Sequence, residues 1–366
     1  MAALWQRPFV VECAALRSRL LACGAAGSLA SLVGPGSVVA KRSTVAGGGV
    51  FSYSEDDRDA ARRDVGAERF AVSFEEVSAE TLVAACEAQA RSGDRWYYTA
   101  PLRASDDGWW DGVVGAGRSE PRRSSLWVGG CGSTTQAHYD VADNVLAQVV
   151  GRKRVRLWHP DQHFSLHVFP DAHPRARKAQ VDVDAPGLGD ARYPLAAGLG
   201  PPALDVVLEA GDAVAIPAFW FHHCEALDGG CSVNAFFPSR TAAAAADVLR
   251  SPMPPSATLR DAIDEAFCDR VYESRYAPLA GAYAALASDA PARVAARPPV
   301  VAASAEAAAD DRERALGALR RTAGDDAAMA IGDIAVAHLL ELWAVGLAGD
   351  AARVGPMLLG SDPGVR

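Results

Sequence analysis

From about residue 124 to residue 238 the chain is cut into short apolar runs by glycine-bearing turns, a pattern that restricts it to a sheet-rich barrel or sandwich. Val145 to Val150 and Val155 to Trp158 flank Gly151-Arg152, as the arms of a hairpin would. Leu204 to Leu208 and Ala213 to Pro217 repeat the arrangement around Glu209-Ala210-Gly211-Asp212. Between the two lies Asp161 to Pro202, rich in Pro, Gly and Asp and too long for a plain hairpin loop. Two hairpins with further strands around them are what a double-stranded β-helix needs. Upstream, a helical pattern over Ser78 to Ala90 stands beside the β-like run Ser37-Val38-Val39-Ala40. Downstream, residues 303–348 read as Ala-rich helices broken near Gly324, after Pro-rich linkers at 251–255 and 297–299. The expected architecture is mixed α+β: an N-terminal α/β extension over 1–94, a barrel core over 95–240 and a helical region over 241–366.

Within the barrel block, His138-Tyr139-Asp140 places an imidazole and a carboxylate two residues apart. On a strand both leave the same face while Tyr139 points away, which makes a chelating pair. A third ligand can come from Phe221-His222-His223, just after the second hairpin; neighbours on a strand face opposite ways, so only one of the two histidines can aim inward. Two imidazoles and one carboxylate on one face of an iron leave the opposite positions open for a chelating co-substrate and dioxygen. An H-x-D triplet by itself is more often a polar cluster at a strand end, so the weight rests on the distal histidine and its context.

Composition narrows the partners. A formal charge of −9 gives the chain no long-range attraction to polyanions, so any nucleic-acid contact must be local. Arg122-Arg123, Arg152-Lys153-Arg154, Arg175 to Lys178 and Arg320-Arg321 are the basic spots, each expected to be solvated surface. Of 36 basic residues only Lys41, Lys153 and Lys178 are lysines, so a lysine at the foot of the first hairpin's second strand is conspicuous. A compact ammonium on a slim stem can enter a narrow barrel where a guanidinium would not fit. Seven cysteines without C-x-x-C spacing argue against both a disulfide framework and a thiolate zinc site, and suit an intracellular compartment, cytoplasmic or nuclear. The N-terminal stretch, Ala-rich with Arg7, Arg17 and Arg19 against one acid, Glu12, has in addition the composition of an organellar transit peptide. No apolar run is long enough to span a membrane; Ile331 to Leu347 comes nearest, but Asp333, His338 and Glu341 interrupt it as in a buried amphipathic helix.

The run Ser133-Thr134-Thr135-Gln136-Ala137-His138-Tyr139-Asp140, then Asp143-Asn144, Gln148, Gly151, Lys153 and Pro160, closely resembles the JmjC family of 2-oxoglutarate oxygenases, whose barrels are of the cupin type. Gly211-Asp212, Ile216-Pro217-Ala218-Phe219-Trp220-Phe221-His222 and Ser232-Val233-Asn234-Ala235-Phe236-Phe237 extend the likeness, which spans about residues 95–240. The resemblance implies Fe(II) held by His138, Asp140 and His222, with His222 chosen over His223. It further implies 2-oxoglutarate and dioxygen as co-substrates, Lys153 paired with the distal carboxylate, and hydroxyl donors from Thr135 and Tyr98. Asn144 and Asn234 would stand near the metal-binding end. Tyr97 competes with Tyr98 for its place, and a plain aromatic cluster at Trp96-Tyr97-Tyr98 is an equal reading.

Within that family the likeness is greatest to the branch that hydroxylates wybutosine beside the anticodon of phenylalanine tRNA, through residues 138–144, 148–149 and 151–155, Arg192-Tyr193-Pro194-Leu195, Leu208 to Asp212 and Ile216 to His222. The ending Asn234-Ala235-Phe236-Phe237-Pro238-Ser239-Arg240 departs from it, lacking an aromatic residue followed by a basic one. A protein hydroxylase or a histone-lysine demethylase is the alternative, and the acidic charge favours a basic peptide. A reading of another class is a catalytically silent barrel that serves as a binding module. The C-terminal helices, including Ile331, Ile334, Leu339, Leu342 and Val345, are expected to pack on the core or to form a homodimer interface.

Overall fold

A computed structural model describes residues 5–26, 29–43, 50–51, 72–88, 94–102, 110, 123–171, 175–184, 191–251, 269–279 and 305–348. The Pro-rich linker at 297–299 and most of that at 251–255 lie outside them. Two compact units are built from the described residues: one from those up to residue 158 together with 202–239, the other from those of 159–201 and from 240 onward.

The first unit is a double-stranded β-helix of two facing sheets. Its strands are β1 (Phe9–Val10), β2 (Ser37–Ser43), β3 (Val50–Phe51), β4 (Val72–Ser78), β5 (Arg95–Pro101), β6 (Arg123–Gly129), β7 (Thr134–His138), β8 (Asp143–Val150), β9 (Lys153–Trp158), β10 (Leu204–Leu208), β11 (Ala213–Ile216), β12 (Phe221–Ala226) and β13 (Gly230–Phe237). The larger sheet runs β1-β11-β8-β13-β6-β5-β2-β4 and the smaller β10-β9-β12-β7-β3. All pairings are antiparallel except β3 with β7.

The strands expected as hairpin arms are present, but they do not pair with each other. Across Gly151 the chain passes from β8 in one sheet to β9 in the other, and across Gly211 from β10 back to β11. The antiparallel partners are β9 with β10 and β8 with β11. Both glycines have left-handed φ, +75° and +95°, so these turns are corners between sheets. The long segment after Trp158 is therefore the connection of the real hairpin, which is why no short turn could be found for it.

Alternation along these strands separates two cores. Leu146, Val155, Leu157, Leu208, Val214, Ile216, Trp220 and Cys224 pack between the sheets. On the outer face of the larger sheet, Val145, Ala147, Val149, Val233 and Ala235 meet α1 (Ala14–Ala26), α2 (Leu29–Val33) and α3 (Ala79–Glu87) through Leu16, Leu20, Leu29 and Leu82. The segment whose composition resembles a transit peptide thus contains β1 and α1, both packed into this unit. Ser78 caps α3 by accepting from the Thr81 N–H. The end of α3 presses on the turn between β12 and β13 so closely that a Cβ on Gly229 would lie 1.7 Å from the Cys86 carbonyl oxygen. Gly229→Ala is expected to destabilise the unit by at least about 2 kcal/mol, because backbone and not a flexible side chain must give way; a denaturant titration measures it.

In the second unit α4 (Arg240–Arg250), α5 (Ala305–Ala323) and α6 (Asp325–Ala348) pack together, with Gly324 at φ +79° making the expected break. Two of the three polar residues that interrupt α6, Glu341 and His338, have partners inside the unit. Glu341 accepts from Arg275 Nη1 at 2.5 Å and from the Asp171 N–H at 2.8 Å, and His338 bonds Asp171. Arg175, expected on solvated surface, is fully buried with its guanidinium over the Phe169 ring, and Lys178 is buried too. No helix among the described residues is long and apolar enough to cross a membrane.

Candidate metal centre

β7 and β12 are neighbours in the smaller sheet, and their register sets His138 directly opposite His222. Asp140 follows at the end of β7. One ligand atom from each of the three lies within 4.8 Å of the others, and no other group of three such residues occurs among the described residues. The two imidazole centroids are 4.1 Å apart, and His222 Nε2 is 3.6 Å from Asp140 Oδ2.

The protonation of both rings follows from their outer partners. His138 Nδ1 meets the Gln136 carbonyl at 2.8 Å and His222 Nδ1 meets the Trp220 carbonyl at 3.2 Å. A carbonyl only accepts, so each Nδ1 carries the hydrogen and each Nε2 keeps its lone pair for a cation. Burial holds the His222 imidazole below its usual pKa, against the opposing pull of Asp140 and the Trp220 carbonyl. The donor set, two neutral imidazoles and a carboxylate, fits a divalent transition metal.

The approach to β12 is braced. Phe219 has φ +69°, uncommon for a bulky residue, and its N–H donates to the Asp140 carbonyl at 2.8 Å. Tyr139, pointing away from the ligands as alternation requires, stacks on Phe219 and meets Phe221 edge-on. His223 faces the other side, where Arg156 Nη2 donates to its Nδ1 at 3.0 Å. Geometry thus separates the two histidines that spacing left open.

A β-bulge joins this centre to a polar pocket. Thr135 lies opposite Cys224 and His138 opposite His222, so the same interval covers two residues on β12 and three on β7. The extra residue resets the alternation and turns both Thr135 and His138 inward. Thr135 lines the pocket together with Tyr97, Trp127, Gln148, Lys153 and Cys224. Tyr97 Oη and Thr135 Oγ1 are 3.3 Å apart, and Phe51 stacks on the Tyr97 ring at 5.1 Å.

Tyr98, the expected hydroxyl donor, is not there. Strand parity sends it to the outer face of the larger sheet, against the helix-covered core, and gives the inner position to Tyr97. Tyr97→Phe is expected to weaken occupancy of this pocket by about 1 kcal/mol, one hydrogen bond's worth, and Tyr98→Phe to leave it unchanged; binding titrations of the two variants compare them.

Lys153 reaches across the barrel and donates to Ser232 Oγ on the facing sheet. That is the ammonium's only hydrogen bond among the described residues, and no carboxylate pairs with it there. Burial pushes the ammonium below its usual pKa. The flanking arginines are engaged on the surface, Arg152 with Asp228 and Arg154 with Asp205, each at 2.6 Å. Cys224 remains a thiol, since burial pushes it up to about 11. Asn234 Nδ2 donates to Asn144 Oδ1 at 2.9 Å, which brings the two predicted amides together. Trp127 and Phe51 carry no signal in the sequence, and Gln148 and Ser232 stand in the resembling runs without a role, because nothing in one strand's pattern tells which residue faces it from the other sheet.

Relatives match part of the chain. Residues 100 in number align at 40% identity with tRNA wybutosine-synthesizing protein 5 of Danio rerio, covering 27% of this chain and 28% of that one. Lysine-specific demethylase JMJ31 of Arabidopsis thaliana is 33% identical over 115 residues, covering 31% and 21%. The matches therefore span less than a third of either relative's length. Among solved structures, Escherichia coli ycfD is similar with a TM-score of 0.35 and 15% identity, covering 67% of this chain and 54% of that one. The model of the family described as a Cupin-like domain matches residues 6–243, which take in both sheets and every residue of the metal centre and its pocket. By that match, and by the facing sheets and His-Asp-His cluster it encloses, the chain belongs to the cupin-like family.

Proposed function

We propose that this chain is an Fe(II)- and 2-oxoglutarate-dependent hydroxylase. The observation that carries the reading is the desolvated ammonium of the half-buried Lys153, which lines one pocket with Thr135 and Tyr97 on the inner side of the strands that carry the metal ligands. A buried cation without a counter-charge is costly, and a carboxylate entering beside it offsets that cost. Ferrous iron, 2-oxoglutarate and dioxygen together supply the oxidising power for hydroxylating a C–H bond, with succinate and carbon dioxide as products.

The chain's own part is to bind and orient. His138, Asp140 and His222 would hold the iron through Nε2, a carboxylate oxygen and Nε2, with their tautomers fixed by the Gln136 and Trp220 carbonyls. Lys153, Tyr97 and Thr135 would take the distal carboxylate of the co-substrate. Asn144 and Asn234 would serve the end nearer the metal. The apolar wall of Val155, Leu157 and Trp220 keeps water from the space between the sheets.

For the substrate, the proposal is the wybutosine side chain of phenylalanine tRNA, supported by 40% identity to the zebrafish wybutosine-synthesizing protein over 100 residues. Arg152 and Arg154 are already bound to carboxylates, and with a net charge of −9 this favours a basic polypeptide as the second reading. Nucleoside mass spectrometry of tRNA from cells lacking the protein separates the two. The tRNA reading expects hydroxywybutosine to vanish, to return with the wild-type gene and to stay absent with His138→Ala. Undiminished hydroxywybutosine in the deletion, alongside 2-oxoglutarate turnover by the purified chain, would move the substrate to protein.

A further inference from the structure

Three side chains inside the barrel form a hydrogen-bonded line whose direction is fixed by its first member. Trp127 Nε1 is 2.7 Å from Asn234 Oδ1, and Asn234 Nδ2 is 2.9 Å from Asn144 Oδ1. An indole N–H only donates, so Asn234 must turn its oxygen toward Trp127. Its NH2 group is thereby aimed at Asn144, which must answer with its own oxygen. The Asn144 Nδ2 is left facing away from Asn234, and among the described residues neither of its hydrogens has an acceptor. Asn144 is buried, and Leu146, two residues along the same face of β8, belongs to the core between the sheets.

We propose that Trp127 is a positioning residue that sets the polarity of this line, so that Asn144 presents hydrogen-bond donors, and not its carbonyl, to a carboxylate bound in the barrel. This rests on the co-substrate reading above and deepens it. An amide pair alone has two arrangements of nearly equal energy, one showing N–H to the interior and one showing C=O. The second would repel an oxyanion. The indole removes it by offering Asn234 a donor and no acceptor, at a place where its ring also lines the pocket of Lys153 and Thr135. Trp127 touches neither metal nor reacting atoms in this role; it acts through the amides.

Two variants separate polarity from packing. Trp127→Phe keeps an apolar ring and deletes the N–H, so both amide arrangements become populated. Asn144→Asp keeps the acceptor that Asn234 uses and replaces the donors by oxygen. Calorimetric titration of the Mn(II)-loaded full chain with 2-oxoglutarate, without dioxygen, gives the affinity, and the unfolding temperature of each variant is the control for packing. Expected are a rise in Kd of about tenfold for Trp127→Phe and more for Asn144→Asp, the size of lost hydrogen bonds to a charged acceptor, with KM for 2-oxoglutarate rising in step and kcat held for Trp127→Phe. Wild-type binding together with unchanged Kd in Trp127→Phe would overturn the positioning role alone. Unchanged Kd in Asn144→Asp would overturn the polarity, since an oxygen would then have faced the ligand already. Absence of binding by the wild type would overturn the co-substrate reading, and this inference with it.

Discussion

Lys153→Met is expected to lower 2-oxoglutarate-dependent succinate release by about a hundredfold or more, the cost of removing one partner of a buried charge pair, while leaving the ligand-free protein as stable as the wild type or more so. The two halves of that result have one cause. The ammonium lies deep between the sheets with only the Ser232 hydroxyl bonded to it among the described residues, and burial depresses its pKa. A methionine of similar length fills the space without a charge to desolvate. The sign of the pH dependence follows. A lysine whose folded pKa lies below its unfolded value near 10.5 disfavours folding wherever the unfolded chain holds the extra proton. Its penalty is absent above the unfolded pKa and grows as pH falls toward the folded pKa. The stability advantage of Lys153→Met should therefore be largest near neutral pH and shrink as the pH is raised toward 10.5. Thermal unfolding across that range, paired with a succinate assay, checks both halves. A variant that loses activity and stability together would mean that Lys153 is structural.

His222→Ala is expected to reduce metal affinity well beyond the 10- to 100-fold typical, roughly, of losing an outer hydrogen-bond partner, whereas His223→Ala leaves it near the wild-type value. The neighbours differ by facing. His222 sits opposite His138 in the ladder with its Nε2 lone pair turned to Asp140, while the Nδ1 of His223 is already taken by Arg156 on the far side of the sheet. Equal losses in the two variants, measured by competition with a metal indicator, would show that spacing along the strand had been misread. Breaking the Arg156 contact does carry a cost of its own, in stability, because it leaves a buried guanidinium with one acceptor fewer.

Much of this site is legible in the amino-acid sequence. The H-x-D spacing works because a strand repeats every two residues, and the distal histidine follows a turn that any barrel of this size needs. Lys153 stood out because a chain with three lysines rarely uses one where arginine would serve. What remained hidden depends on facts that strand periodicity does not carry. The choice of Tyr97 over Tyr98 is a question of parity, set by pairing Tyr97 with Gly129 and Tyr98 with Val128. The joint orientation of Thr135 and His138 needs a bulge, which alternation from the sequence would have excluded. Strand pattern places the four arms but not their pairing, since a glycine turn with positive φ serves a sheet corner as well as a hairpin. Charge alone points Arg175 to solvent, yet it is buried over Phe169.

Under the proposed function, one 2-oxoglutarate bridges a metal held by His138, Asp140 and His222 and the ammonium of Lys153. Electron paramagnetic resonance of Mn(II) bound to the full chain tests it most directly, with 2-oxoglutarate added to the wild type and to Lys153→Met. Expected are one bound Mn(II) per chain, a spectrum that changes on adding 2-oxoglutarate, and a change that requires far more ligand in Lys153→Met. A wild-type spectrum indifferent to saturating 2-oxoglutarate, or Mn(II) binding that survives Asp140→Ala and His222→Ala intact, would contradict it.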